Sequence, residues 1–244
     1  MKAMVLAAGV GSRLRPITDR IPKALVEVAG VPMLEIVIRR LVRAGVDGVV
    51  VNAFHFAEQI EAFLKGRDLG VPVGISRETE LLDTGGGLKK AAWFFSDGRP
   101  FFLHNVDFYN EVDLCRMYRA HEASGALATL AVSDRATLRY FLFDESGTLR
   151  GWESLKEGRR EWAGAPAPEA RRLAFNGIAV ISPGLLPRMT ESGIFSIVRT
   201  YVRLAGEGER IQAFRTDDAY YLDIGTPAKL EEVRRRADEK GLPD

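Results

Sequence analysis

The chain has a single cysteine, Cys115. That excludes an intrachain disulfide and fits a reducing compartment; on a helix it is expected as a small buried residue. Histidine is scarce as well: His55, His104 and His121 stand in no metal-ligand spacing and are assigned to core or surface. Neither sign of charge is in excess. Lys plus Arg is 34 and Asp plus Glu is 33, a net charge of +1, which argues against nucleic-acid and membrane surfaces as partners. No apolar run reaches the length of a membrane span, and glycines break the first apolar strand before a signal-peptide pattern forms. The expected compartment is the cytoplasm, and the expected state a monomer or homodimer. Repeats, low-complexity stretches and a clear linker are missing too.

What is present suffices for a large core: 244 residues, 46% of them hydrophobic. The first half alternates strand and helix. Strands are expected at 4–6, 48–52, 71–75, 100–104 and 127–132, with helices at 32–44, 57–64, 84–95 and 113–123. This rhythm implies a parallel sheet with helices on both faces. The second half changes character. Tyr140–Phe143 and Leu149–Trp152 flank Asp144-Glu145-Ser146-Gly147 and read as a hairpin. Residues 157–172 are charged, contain Pro166 and Pro168, and read as an exposed loop. Strands follow at 175–181, 211–214 and 220–223. Thr226 caps a last helix with Pro227 at its first position. The expectation is one domain over 1–244, with a strand–helix half at about 1–133 and a β-rich lid half at about 134–244.

The chemistry begins in the first 34 residues. The strand ending at Leu6-Ala7-Ala8 runs into Gly9-Val10-Gly11-Ser12-Arg13, and Ile21-Pro22-Lys23 follows. Glycines after a strand let amides approach a phosphate, Arg13 offers a planar fork of donors, and Lys23 adds a second positive charge. The Walker pattern is absent, and Leu14 stands where a dinucleotide loop needs its third glycine. Asp107 follows the strand through Leu103-His104-Asn105-Val106, and Asp223 ends Ala219-Tyr220-Tyr221-Leu222. Each alone reads as a turn or cap residue. Together, at the carboxyl edge of a sheet, they would suit one Mg²⁺, which takes one or two carboxylates and fills its shell with phosphate oxygens and water.

Leu-Ala-Ala-Gly-x-Gly-x-Arg-Leu-x-Pro, Pro-Lys-Ala-Leu and Val-Ala-Gly-Val-Pro-Met-Leu together resemble the signature of sugar-1-phosphate nucleotidylyltransferases. The resemblance runs from Lys2 to about Val233. It implies a Rossmann-like nucleotide-diphospho-sugar transferase fold, with about 1–133 as the nucleotide-binding half and about 134–244 as the sugar-phosphate-binding half, and the reaction of an NTP with a sugar 1-phosphate, giving an NDP-sugar and pyrophosphate. It implies Mg²⁺ on Asp107 and Asp223, since Asn105-Val106-Asp107 and Tyr221-x-Asp223-x-Gly-Thr-Pro resemble the family's two metal motifs. It makes Arg13, Lys23 and Asp107 the catalytic candidates. Leu6, Ala7, Ala8, Gly9, Gly11, Ser12, Arg13, Glu78, Asp83, Thr84, Gly85, Gly86 and Asn105 become the nucleotide contacts. Lys23, Asp107, Glu153, Asn176 and Asp223 become the sugar-phosphate contacts. Asp83 replaces the family's usual Gly or Glu, and the Glu153-Ser154-Leu155-Lys156 spacing departs from its Glu-Lys pair. Glu78 can accept from uracil N3–H or from guanine N1–H and N2–H. Within the family the chain is most similar to N-acetylmuramate 1-phosphate uridylyltransferases and to short mannose-1-phosphate guanylyltransferase-like proteins. That implies UTP with an N-acetylmuramate-type 1-phosphate, the alternative being a mannose- or heptose-1-phosphate guanylyltransferase. The left-handed β-helix or acyltransferase domain of longer relatives is expected to be absent. A non-catalytic nucleotide-sensing homologue would lack Arg13, Lys23 or an aspartate; all four are here.

Overall fold

A computed structural model of the protein describes residues 1–243. In chain order its elements are β1 (Lys2–Leu6), β2 (Glu27–Val28), β3 (Val31–Pro32), α1 (Met33–Arg43), β4 (Gly48–Ala53), α2 (Ala57–Lys65), β5 (Val73–Arg77), α3 (Asp83–Lys90), β6 (Phe101–Asn105), β7 (Phe108–Asn110), α4 (Leu114–Ser124), β8 (Ala128–Ser133), β9 (Arg139–Phe143), β10 (Leu149–Ser154), β11 (Arg159–Trp162), β12 (Arg171–Ile181), α5 (Ile197–Gly206), β13 (Ile211–Arg215), β14 (Tyr221–Asp223) and α6 (Pro227–Lys240).

Side-chain alternation along the strands builds a core on each face of the sheet. Ala3 and Val5 of β1 join Val49, Val51 and Phe102 beneath α1, α2 and α4. Met4 points the other way and joins Val50, Leu103 and Leu130 beneath α3 and α5. A third cluster is smaller. Leu14, Val26, Met33 and Ile36 pack with Tyr109, Ile224, Leu230 and Val233, which fastens α6 to the segment after β1.

Strands β5, β4, β1 and β6 lie parallel and adjacent, in the Rossmann-like manner expected. The sheet is mixed beyond them. The strand at 128–133 does not extend the parallel series, because β12 lies between β6 and β8, antiparallel to both. The eleven residues of β12 are long enough to serve two neighbourhoods: its start pairs with β9 and its end with β6 and β8. The β-rich lid is therefore continuous with the main sheet. Two expectations need correction. The 157–172 segment is not an open loop; it holds β11, paired with β10, and buries Ala163 and Ala167. Cys115 is exposed, because α4 buries Leu114, Met117, Tyr118 and His121 instead.

Candidate active site

The carboxyl ends of β1, β4 and β6 stand in register, with Leu6 beside both Asn52 and Asn105. The loop after β1 is closed by Thr18, whose hydroxyl donates to Gly11 O at 2.8 Å. Gly11 has φ +68°, and a Cβ there would come within 2.9 Å of Thr18 Cγ2. Among the described residues, the amides of Gly9, Val10, Gly11 and Ser12 donate to no protein acceptor. They form a set of free donors above the sheet edge, suited to phosphate oxygens.

Asp107 and Asp223 are brought together by a pairing invisible in the strand rhythm. The short strand β7 runs antiparallel to β14, with Phe108 opposite Asp223, and Ile224 N donates to Asp107 O at 2.9 Å. Each carboxylate has an ammonium counter-ion. Lys23, 8% exposed, reaches Asp107 from the 3₁₀ turn Lys23–Leu25. Lys229, one turn into α6, reaches Asp223, which also accepts from Gly225 N at 3.0 Å. Burial pushes the Asp223 carboxyl up, but the Lys229 ammonium and the Gly225 amide outweigh it and hold the group below its ordinary value. Lys229 was not expected from the sequence, although its place three residues after the Thr226 cap turns it back toward the strand end.

Gly225 explains why the second motif carries glycine. A Cβ there would overlap Asp223 Oδ1 and come within 2.9 Å of Arg13 Nη2. Arg13 is exposed and lies against Gly225, so the first motif and the last meet at one place. The donor set, two carboxylates already held beside cations, fits a divalent metal that also binds substrate phosphates. No cluster of three or more His, Cys, Asp or Glu suited to a metal occurs among the described residues.

The expected base contacts are more internally engaged. Ala7 N donates to Asn52 Oδ1 at 2.7 Å, and Leu6 O accepts from Val106 N at 3.1 Å. Glu78 is 3% exposed; its Oε1 accepts from Asn52 Nδ2 at 2.7 Å and its Oε2 from Leu82 N at 3.1 Å. The amides of Gly85 and Gly86 both donate to Phe195 O, at 2.9 and 3.2 Å. They do not stand free for a base, as the sequence led us to expect. A Cβ on Gly85 would overlap the Phe195 ring, and one on Gly87 would come within 2.8 Å of Glu78 Oε1, so these glycines serve helix packing. The Thr84 hydroxyl accepts from Ile197 N at 3.0 Å, at the start of α5. Asp83 has φ +60°, which explains why glycine suits that position. Ala8 is buried, and the Asn105 side chain has no hydrogen-bond partner among the described residues.

On the sugar side, Glu153 and Asn176 depart from expectation. Glu153 accepts from Arg160 Nε at 3.0 Å and from Arg172 Nε at 2.5 Å, and the Arg172 pairing holds its carboxyl below the ordinary value despite burial. Register explains this: Glu153 sits opposite Arg160 across β10 and β11. Asn176, fully buried, donates to Ser133 Oγ at 3.0 Å and Thr216 Oγ1 at 2.8 Å. Both side chains are spent inside the protein. His104 and His121 are buried, and burial pushes them down to about 3 and about 4, so they are neutral core residues. A groove of about 540 Å³ is lined by Arg40, Arg43, Glu111, Arg236 and Lys240 among others, and by none of the site residues. No helix among the described residues is long and apolar enough to cross a membrane.

A family model described as nucleotidyl transferase matches residues 2–141. An N-acetylmuramate alpha-1-phosphate uridylyltransferase of Caulobacter vibrioides is 33% identical over 254 aligned residues, covering 97% of each chain. A mannose-1-phosphate guanylyltransferase catalytic subunit beta of Danio rerio is 27% identical, covering 98% of this chain and 68% of its own. The crystal structure of HddC from Yersinia pseudotuberculosis superposes with a TM-score of 0.76 at 21% identity, over 96% of this chain and 98% of its own, a likeness of fold.

Proposed function

The chain belongs to the nucleotidyl transferase family, and from that premise we propose that it transfers a uridylyl group from UTP to an N-acetylmuramate-type sugar 1-phosphate, releasing pyrophosphate. The observation that carries the chemistry is the convergence, at one sheet edge, of the free Gly9–Ser12 amides, Arg13, Lys23, Asp107 and Asp223. The end-to-end match to a uridylyltransferase favours this substrate pair over guanylyl transfer.

The loop amides and Arg13 hold the β- and γ-phosphates. An oxygen of the sugar phosphate attacks the α-phosphorus in line; that O–P bond forms as the bond to the pyrophosphate oxygen breaks. The nucleophile is already anionic, so no general base is needed, and catalysis is positioning and charge neutralisation. Lys23, buried and directed at the Asp107 position, neutralises charge where the two phosphates meet. Asp107 and Asp223 would hold Mg²⁺, which when bound would supply further neutralisation of both phosphates.

A second reading, guanylyl transfer to mannose 1-phosphate, is supported by the similarity to a mannose-1-phosphate guanylyltransferase over 98% of this chain. Against it, a guanine beside Glu78 would need width next to Leu81 and Leu82 in the sequence. Pyrophosphate release from UTP, GTP, CTP and dTTP, each with N-acetylmuramate, N-acetylglucosamine and mannose 1-phosphates, separates the two. UTP is expected to exceed GTP by about ten- to a hundredfold, the scale of one buried hydrogen bond gained or lost. A GTP preference would transfer the assignment to the second reading.

A further inference from the structure

One half-buried cation on the sugar side has no acid to neutralise it. Arg135 follows the end of β8. Its Nε donates to Asn176 Oδ1 at 3.0 Å, and its Nη2 donates to Phe175 O at 2.9 Å and to the Tyr221 hydroxyl at 3.4 Å. The guanidinium carbon lies 4.7 Å from the centroid of the Tyr221 ring. Among the described residues, Nη1 donates to nothing and no carboxylate pairs with the side chain. The nearby acid Asp217 is occupied: it pairs with Arg215 at 2.6 Å and accepts from Asp134 N at 2.7 Å. Asp134, the preceding residue, is exposed.

The guanidinium is also fixed in direction. Asn176 is fully buried, and its Nδ2 donates to Ser133 Oγ and Thr216 Oγ1. The Thr216 hydroxyl is itself spent as a donor to Val132 O, so it accepts from Nδ2, and Oδ1 is left to accept from Arg135 and the Ser133 hydroxyl. Residues at the ends of β8 and β13 thus hold the asparagine of β12, which holds the arginine. Such a construction leaves the two N–H donors of Nη1 presented and unpaired, an arrangement suited to an anionic oxygen. The phosphates of the substrates already have their donors in the Gly9–Ser12 amides, Arg13 and Lys23. Arg135 instead rests on Tyr221, two residues before Asp223 and beside the lid strands.

We propose that Arg135 is a specificity-determining residue that binds a carboxylate carried by the acceptor sugar, so that the protein selects a sugar-acid 1-phosphate over its neutral counterpart. This rests on the acceptor reading given above. Tyr221 supplies a neutral surface for the guanidinium, and Asn176, flagged by sequence as a sugar contact, acts on the sugar through Arg135.

The test measures kcat and KM with UTP for N-acetylmuramate 1-phosphate and for N-acetylglucosamine 1-phosphate, which lacks the carboxylate. It uses wild type, Arg135→Gln and Arg135→Lys, with thermal unfolding followed for each. In wild type the acid is expected to be preferred. Arg135→Gln is expected to lower the acid-to-neutral ratio of kcat/KM at least tenfold, chiefly through KM for the acid. Arg135→Lys, which keeps the charge and loses the fork, is expected to recover part of that ratio. If Arg135→Gln keeps the wild-type ratio, whether or not both substrates slow together, the role of Arg135 is overturned and the acceptor reading stands. A wild type without preference for the acid, including one that uses neither sugar, overturns both.

Discussion

On the phosphate side the amides of Gly9 to Ser12 donate to nothing, whereas on the sugar side Glu153 and Asn176 are bonded on every side by the protein. A loop amide that the protein leaves unpaired needs an external acceptor, water or a phosphate oxygen. A polar side chain on a strand has no such obligation: it can serve a ligand or a neighbouring strand, and composition does not separate the two. The contrast extends to the cations. Lys23 reaches an aspartate at the sheet edge that carries the free amides, while Arg160 and Arg172 converge on one buried carboxylate.

The largest expected effect tests whether the two aspartates belong to the phosphate side together. Asp107→Asn and Asp223→Asn should each lower kcat/KM at least a hundredfold, about 2.7 kcal/mol of transition-state stabilisation. Their stabilities should differ. The side chain of Lys23 is 10% exposed and that of Lys229 is 40% exposed. Removing the Asp107 charge leaves a buried ammonium poorly compensated, so only Asp107→Asn should clearly lower Tm. Wild-type turnover in either variant would remove that residue from the mechanism.

Next in size is Arg13. Its guanidinium lies beside Gly225, and a lysine ammonium cannot reproduce two parallel donors. Arg13→Lys should reduce kcat/KM at least tenfold, about 1.4 kcal/mol, with Tm unchanged because the side chain is exposed. An unaffected kcat/KM would mean that the loop amides alone hold the departing pyrophosphate.

A smaller effect should come from the seam between the regions. Gly177 has φ +71°, and a Cβ there would overlap the Phe108 ring, which lies 5.0 Å from Tyr221. Phe108 is adjacent to Asp107 in the strand that pairs with β14. Gly177→Ala should cost about 1–3 kcal/mol of stability and slow turnover severalfold by displacing the β7–β14 pair. Unchanged thermal unfolding would show that the ring relaxes freely.

The sequence made the phosphate side legible because its residues are contiguous and their chemistry is local. Gly9, Gly11, Arg13 and Lys23 fall within fifteen positions, and the strand–helix alternation places them at a sheet edge. The Thr226 cap was legible for the same reason. What escaped depends on pairing between distant segments. β7 is three residues long and carries no period of its own, so its union with β14 was not visible. The insertion of β12 between β6 and β8 could not be read from strands of equal apolarity. The engagement of Gly85 and Gly86 by Phe195 O spans more than a hundred positions. Arg135 was passed over because a single arginine in a loop reads as solvated surface.

Glu153 offers the sharpest challenge to the contrast at the smallest expected cost to turnover. If its carboxylate serves only Arg160 and Arg172, Glu153→Gln should leave KM for the sugar phosphate within about twofold, well under 1.4 kcal/mol. Its stability should fall instead. The carboxylate is buried, but the two arginine side chains are 42% and 50% exposed, so solvent screens the pairs. A loss of about 1–2 kcal/mol at neutral pH is expected, below that of a fully buried pair. The pH dependence follows from the direction of its shift. Hydrogen bonding from Arg172 holds the folded-state carboxyl below its ordinary 4.5. The wild-type advantage is therefore fully present above pH 4.5 and is lost as the pH falls through the lower folded value. Denaturant unfolding of both proteins at pH 7 and pH 3.5 should show the gap narrowing in acid. A variant that keeps its stability but loses sugar affinity tenfold would restore Glu153 as a ligand, and the two sides of the site would then differ less than their hydrogen bonds indicate.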